Sequence, residues 1–333
     1  MKRIHYSIFI LLVLFLGCSK ASKENVLWKT ASIKGKFAPP DGHVLLFVGQ
    51  DKDVIDSYVK KVEIMPAGIM FYTAIQDTRA LDGPFDPEGG GIQDFPYLME
   101  HYPKALVQIG LYMVNALDGV IAGQFDYNIE KLAEVFKRED RPIYLRIGYE
   151  FDNPDNHYDP VKYIMAYRYI VDKLHRLGVN NVAYVWHSYA VIDSQKPIRN
   201  WYPGDDYVDW VAISYFSPYN TDNMNKVTQF ARDHGKPLMI AEATPAGFST
   251  DKGEDTWKRW YGFVFKYIDE QNVKAFCYIN CWWDHLPQFV SLHWGDARIE
   301  KNDYITGKWL EMVNQKKFLQ DSPELFKRLN YEK

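Results

Sequence analysis

Two stretches decide the fold: Arg141-Pro142-Ile143-Tyr144-Leu145-Arg146-Ile147-Gly148-Tyr149-Glu150 and Lys236-Pro237-Leu238-Met239-Ile240-Ala241-Glu242. Each opens on a basic residue and a proline, continues through an apolar run, and closes on a glutamate. Proline is tolerated at the first residue of a strand, where its missing N–H breaks no ladder. Similar short apolar runs recur along the chain at Val44–Val48, Gly68–Thr73, Leu106–Tyr112, Ile143–Gly148, Val182–His187, Val208–Tyr215, Leu238–Ala241 and Ala275–Ile279. Helical patterns lie between them at Val54–Val62, Tyr127–Phe136, Pro160–Leu177, Asn223–His234 and Trp257–Glu270. Asp159-Pro160 supplies an N-cap with proline in the first turn, and Gly178 stands where a helix C-terminal glycine belongs. Eight strands with intervening helices predict an α/β fold, a (β/α)8 TIM barrel. A doubly wound sheet would call for a glycine-rich turn after the first strand, whereas Gly49-Gln50-Asp51 follows here. One barrel domain over residues 31–333 is the expectation.

The composition agrees with a folded domain. The 333 residues are 47% hydrophobic, 16% aromatic and 25% charged, which excludes disorder, collagen and coiled coil. With 39 Lys and Arg against 43 Asp and Glu, the net charge of −4 gives no reason to expect nucleic acid as a partner. The 10 Trp, 24 Tyr and 19 Phe suit a protein that lays rings against sugar faces, although a large core also uses many.

At the N-terminus, Lys2 and Arg3 precede an apolar run from Ile8 to Leu16, the pattern of a secretory signal too short to span a membrane. Leu14-Phe15-Leu16-Gly17-Cys18 resembles a bacterial lipobox. Residues 1–17 are therefore expected to be a lipoprotein signal, Cys18 the lipidated residue and 18–30 a tether. The expected location is outside the cytoplasm, on the outer membrane or cell surface, with contact to the membrane only through lipid. Cys277 and Cys281, four apart in a strand-like run, are too far apart for a disulfide if extended. No His or Cys spacing suggests a metal site, no cofactor is implied, and a monomer is expected.

Active sites of such barrels lie at the C-terminal ends of the strands. Glu150 and Glu242 close strands four and seven, on opposite sides of one barrel mouth. Glycoside cleavage needs such a pair, one carboxylic acid to protonate the leaving oxygen and one carboxylate on the other sugar face. Period-two geometry places Arg146, Gly148 and Glu150 on one face, where Arg146 can hold a carboxylate ionised, or form a structural ion pair. His187, at the end of strand five, and Asp152 are candidate hydrogen-bonding residues for substrate, His187 equally a satisfied core histidine. Asp296 and Arg298 are expected to pair and brace their loop.

The run from Arg141 to Glu150, then Tyr202-Pro203-Gly204-Asp205-Asp206-Tyr207-Val208-Asp209, then Ala241-Glu242, resembles glycoside hydrolase family 26 in order and spacing over about residues 40–300. The resemblance implies a clan A barrel and a retaining double displacement, with Glu150 as acid/base and Glu242 as nucleophile. It maps the family's arginine before the acid/base onto Arg146 and its strand-six tyrosine, which touches the nucleophile, onto Tyr215. It also implies a tryptophan floor for the sugar from Trp282 or Trp283, of which alternation lets only one face the mouth. The mannanases of the family carry His directly before the acid/base, where this chain has Tyr149, a further candidate for substrate contact. They then carry a Trp-rich segment, where this chain has Phe151-Asp152-Asn153-Pro154. These departures place the chain nearer the β-1,3-xylanases and mixed-linkage glucanases. The expected substrate is a β-linked polysaccharide: β-1,3-xylan, β-mannan or mixed-linkage β-glucan. The competing readings are a glycosidase of another clan A family and a non-catalytic glycan-binding lipoprotein.

Overall fold

The computed structural model describes residues 33, 35–87, 89–192 and 197–331. The segments expected to be signal and tether, with Cys18, lie outside these residues as far as residue 30. Eight parallel strands close into a barrel: β1 Val44–Gly49, β2 Gly68–Ala74, β3 Leu106–Tyr112, β4 Ile143–Ile147, β5 Val182–Ser188, β6 Trp210–Tyr215, β7 Leu238–Ala243 and β8 Ala275–Ile279. β1 closes the ring by pairing with both β8 and β2. The β1–β2 ladder holds only Phe47↔Gly68 and Val48↔Ile69, so the lower part of that edge is open to another partner. A two-residue strand near the C-terminus, β9 Phe318–Leu319, pairs there with Val44 and Leu45.

Strong amphipathic patterns become the helices α1 Lys52–Val62, α4 Asp126–Arg138, α5 Pro160–Arg176 and α6 Thr221–Asp233. Asp51 and Asp159 cap α1 and α5 by accepting from Val54 and Lys162 N–H groups. After β7 the chain forms α7 Glu254–Thr256, a π turn over Trp257–Tyr261, and α8 Gly262–Gln271. The shorter α2 Phe95–His101, α3 Leu117–Ile121 and α10 Leu325–Arg328 have too few turns to give a periodic signal. The same end of the chain holds α9 Asp303–Val313. No helix among the described residues is long and apolar enough to cross a membrane.

Strand residues divide by parity. Ile69, Ile109, Ile147, Val211 and Ile213 face the helices in the outer core, while Met70, Tyr144, Val185, Trp210 and Ala212 fill the barrel. The lower interior is plugged by edge-to-face rings, Phe47 on Tyr144 and Tyr144 on Trp210, each pair with centroids 5.5 Å apart. The polar atoms of these rings are satisfied: the Tyr144 hydroxyl donates to Phe37 O at 2.7 Å and Trp210 Nε1 to Lys36 O at 2.8 Å. Cys277 and Cys281 are buried free thiols. With the lower barrel filled, ionisable groups can gather only at the upper end.

The Trp210 plug gives a stability test. Trp210→Ala removes a fully buried ring from a packed interior, so chemical unfolding should report a loss of about 3–5 kcal/mol. A loss under about 1 kcal/mol would mean the plug is not part of the stabilising core.

Candidate active site

The upper interior layer is built by strand ends that depart from regular geometry. β4 ends at Ile147, and the next three residues turn sharply, with φ of 55° at Gly148 and 53° at Glu150. Period-two counting therefore fails at Gly148, which lies against Met113 and Tyr163 on the helix side and not on the face of Arg146, and the left-handed turn returns the Glu150 side chain to the interior. Gly148 cannot be larger, because a Cβ there would lie 2.6 Å from Met113 Cε in addition to its positive φ. The Asn156 side-chain amide holds the turn by donating to the carbonyls of Tyr149 and Glu150 at 3.2 and 2.9 Å.

Glu242 reaches the interior by a different device. In the β6–β7 ladder Ile213 pairs with Ile240 and Ser214 with Glu242, so Ala241 is an extra residue and the strand bulges. The β7–β8 register shifts over the same residues. Without the bulge, Met239 and Ala241 would face inward and Glu242 outward; with it, Glu242 is re-aimed into the mouth. Gln108 from β3 supports the bulge by donating to Ala241 O at 2.9 Å.

Arg146 lies between the carboxylates, fully buried. Its Nη1 donates to Glu242 Oε1 and, at 3.3 Å, to His187 Nδ1. The faces of Tyr72 and Tyr149 each lie 4.9 Å from the guanidinium carbon, a cation–π cradle for a charge removed from water. Gly110 makes room for it: a Cβ there would sit 2.8 Å from Arg146 Nη2 and 2.7 Å from the Tyr72 ring. The Tyr72 hydroxyl donates to Glu242 Oε1 at 3.0 Å. Oε1 of Glu242 thus takes both donors, and Oε2 accepts from no described residue.

Glu150 sits in a contrasting setting. Ser214 Oγ donates to its Oε1 at 2.5 Å and Asn153 Nδ2 to its Oε2 at 3.2 Å. Burial, reinforced by the Glu242 charge, pushes the Glu150 pKa up from the ordinary carboxylate range. His187 Nε2 lies 3.0 Å from Ser214 Oγ, completing a file from Glu150 through Ser214, His187 and Arg146 to Glu242. The arrangement offers one carboxylic acid that keeps its proton beside one carboxylate paired with a cation, the division of roles needed for acid-assisted displacement at an acetal carbon.

The structure brings Glu150, Glu242, Arg146 and Tyr149 together and moves other candidates elsewhere. Tyr215 does not touch Glu242. Its ring faces the helices, packed on Trp260 and Tyr267, because parity with Trp210 and Ala212 gives the inward position to Ser214. Tyr72 of β2 takes the place expected for Tyr215. Asp152 is committed to the loop after β5, accepting from Ser188 Oγ at 2.8 Å, Tyr189 N at 2.6 Å and Val191 N at 3.0 Å, so it serves the loop and not a sugar. His187 is fully buried with both ring nitrogens engaged, so it is internal to the site and not a substrate contact.

Trp282 and Trp283 part as alternation requires. Trp282 is exposed, stacked on His285 at 4.7 Å with the Arg298 guanidinium 4.7 Å over its ring. Trp283 turns to the barrel side, and its Nε1 donates to Thr244 Oγ1 at 2.8 Å, two residues beyond Glu242. Phe289 and the half-buried Trp294 cover it. Asp296 and Arg298 pair through Nε and Nη2 at 2.9 and 2.6 Å. Tyr72, Ser214 and Asn153 escaped the sequence reading. The alternation Trp210-Val211-Ala212-Ile213-Ser214, with β-branched residues at every second position, was the available signal for Ser214.

Comparison with known proteins supplies the family. The model of glycosyl hydrolase family 26 matches residues 148–254, a segment containing both glutamates. A β-1,3-xylanase of a Vibrio species is 33% identical over 340 aligned positions, covering 94% of this chain and 74% of that protein. One from an Alcaligenes species is 31% identical, covering 90% and 69%. Among solved structures, a family 26 β-mannanase from Bacteroides ovatus superposes with a TM-score of 0.63 over 84% of this chain and 91% of that one, at 15% identity, a likeness of fold. The barrel, the family match and the two relatives aligned over nine-tenths of the chain converge: the chain is a glycoside hydrolase and belongs to glycosyl hydrolase family 26.

Proposed function

We propose that this enzyme cleaves internal linkages of β-1,3-xylan with retention of configuration, Glu242 acting as nucleophile and Glu150 as acid/base. The observation that carries the reading is the hydrogen-bonded file at the barrel mouth, which gives two carboxylates opposite surroundings. Glu242, paired with Arg146 and Tyr72 through Oε1, attacks the anomeric carbon with Oε2. The bond from that carbon to the glycosidic oxygen breaks as the Glu150 proton passes to the departing oxygen, leaving a glycosyl ester on Glu242. Water then attacks the same carbon while ionised Glu150 takes its proton; the ester bond breaks and both carboxyl groups return to their starting states.

The choice of sugar is supported by the two β-1,3-xylanases that match nine-tenths of the chain, whereas the mannanase structures resemble it at the level of fold. Tyr149, in place of the histidine expected of a mannanase, lies with Tyr72 5.7 Å and Tyr112 6.2 Å from its ring centroid. This line of rings beside the carboxylates is suited to apolar sugar faces.

Reducing-end release from β-1,3-xylan, β-mannan and mixed-linkage β-glucan tests the reading. Glu242→Gln keeps an acceptor for Arg146 but no nucleophile, and activity should fall by at least about 10³-fold. Glu150→Gln should lose about 10²–10⁴-fold in kcat/KM on the polymer; on an aryl glycoside whose leaving group needs no proton its kcat/KM should recover toward wild type while kcat stays low, because water attack still lacks its base. Full activity in Glu242→Gln would refute the nucleophile, and turnover of β-mannan alone would refute the sugar.

We infer further that the enzyme is anchored outside the cytoplasm through lipid on Cys18, a reading supported by the apolar run and Leu14–Cys18. In a bacterial host, Cys18→Ala should move the protein from the membrane fraction to the soluble one. Unchanged membrane association would refute the anchor.

A further inference from the structure

The acid/base has two oxygens, and the buried file determines which of them can carry the proton. Arginine nitrogens donate and do not accept, so the Arg146 Nη1 contact with His187 Nδ1 requires a lone pair on Nδ1. Burial, followed by the Arg146 charge, lowers the His187 pKa well below its ordinary value, so the ring is neutral and its single proton sits on Nε2. Nε2–H therefore donates to Ser214 Oγ, 3.0 Å away, and occupies the hydroxyl as an acceptor. The one hydroxyl proton is left to point at Glu150 Oε1, at 2.5 Å, whereas Oε2 takes the longer bond from Asn153 Nδ2, 3.2 Å, which an oxygen carrying a proton can still accept on its remaining lone pair. Every donor runs in one direction, from Arg146 toward Glu150, and the opposite direction would leave Arg146 facing an N–H.

We propose that His187 and Ser214 are positioning residues for the acid/base: the Arg146–His187–Ser214 file fixes Glu150 Oε1 as an acceptor, so that the transferred proton resides on Oε2. This rests on Glu150 being the acid/base. It explains why a fully buried histidine and serine share a layer with the carboxylates although neither reaches the substrate. A donor fixed on Oε1 stabilises the ionised form, which the hydrolysis step needs, against the burial that favours the acid. The other charged or titratable groups facing Glu150 are Glu242 and Arg146, with Tyr149, Tyr158 and Tyr189 at longer range.

The test is the pH dependence of kcat/KM on β-1,3-xylan, or on whichever of the three polymers proves active, in Ser214→Ala, His187→Leu and His187→Gln. The alkaline limb reports loss of the essential proton from the free enzyme. Removing the donor to the ionised form raises the pKa, so Ser214→Ala should shift that limb upward by about one pH unit; His187→Leu keeps the Ser214 hydroxyl but frees it to accept from the protonated carboxyl, which stabilises the acid and should shift the limb upward by about half a unit. The glutamine amide can accept from Arg146 and donate to Ser214, so His187→Gln should keep the limb within about 0.3 unit of wild type. Folded variants that lose rate with an unmoved limb, or with a limb moved down, would overturn the proposal. Should the variants fail to fold, the ¹⁵N spectrum of His187 in the wild-type enzyme decides: a neutral ring protonated on Nε2 is expected, and protonation on Nδ1 overturns it. The underlying assignment is checked separately by Glu150→Gln on the polymer. If that variant keeps the wild-type rate and alkaline limb, Glu150 is not the acid and the fault lies in the reading of its role.

Discussion

The site depends on one buried cation. Arg146 is fully removed from solvent, and its Nη1 hydrogens divide between Glu242 and His187. A guanidinium in such a place is tolerable only with a carboxylate partner, and stranding it there would cost on the order of 3–5 kcal/mol. Glu242 is thereby tied to one oxygen and one orientation, with the Tyr72 hydroxyl on the same oxygen. The fold in turn is adapted to the arginine. Gly110 leaves space across the barrel, Tyr72 and Tyr149 present their faces, and the aromatic plug of Phe47, Tyr144 and Trp210 keeps the layer beneath filled.

Two backbone irregularities convert a symmetrical barrel into an asymmetrical site. The left-handed turn at Gly148 and Glu150 brings the Glu150 carboxyl in from beyond the end of β4. The bulge at Ala241 turns Glu242 from the helix side to the barrel side. Regular strands would have left both carboxylates to parity, with no means of aiming them independently. Local departures from strand geometry therefore carry the chemistry, while the remaining ladder supplies rigidity.

The barrel was legible in the sequence because parallel strands buried on both faces read as unbroken apolar runs, and all eight fell within two residues of their observed ends. The glutamates were legible because an acid is conspicuous at the end of such a run. What surrounds them was less so. Tyr215 was assigned to the nucleophile by family resemblance, yet the strand alternation already pointed it outward and Ser214 inward. Asp152 looked like a substrate ligand because sequence shows a carboxylate near the site and cannot show the three donors that consume it. Tyr72 lies 170 positions from the glutamate it contacts, and only closure of the barrel brings the two together.

The central claim is that Glu242, fixed by Arg146, forms a covalent bond to the sugar. Trapping the intermediate with a 2-deoxy-2-fluoro glycosyl fluoride of the active sugar, followed by mass spectrometry of the digested enzyme, tests this directly. The account predicts one glycosyl adduct per chain, located on Glu242. An adduct on any other residue would contradict it.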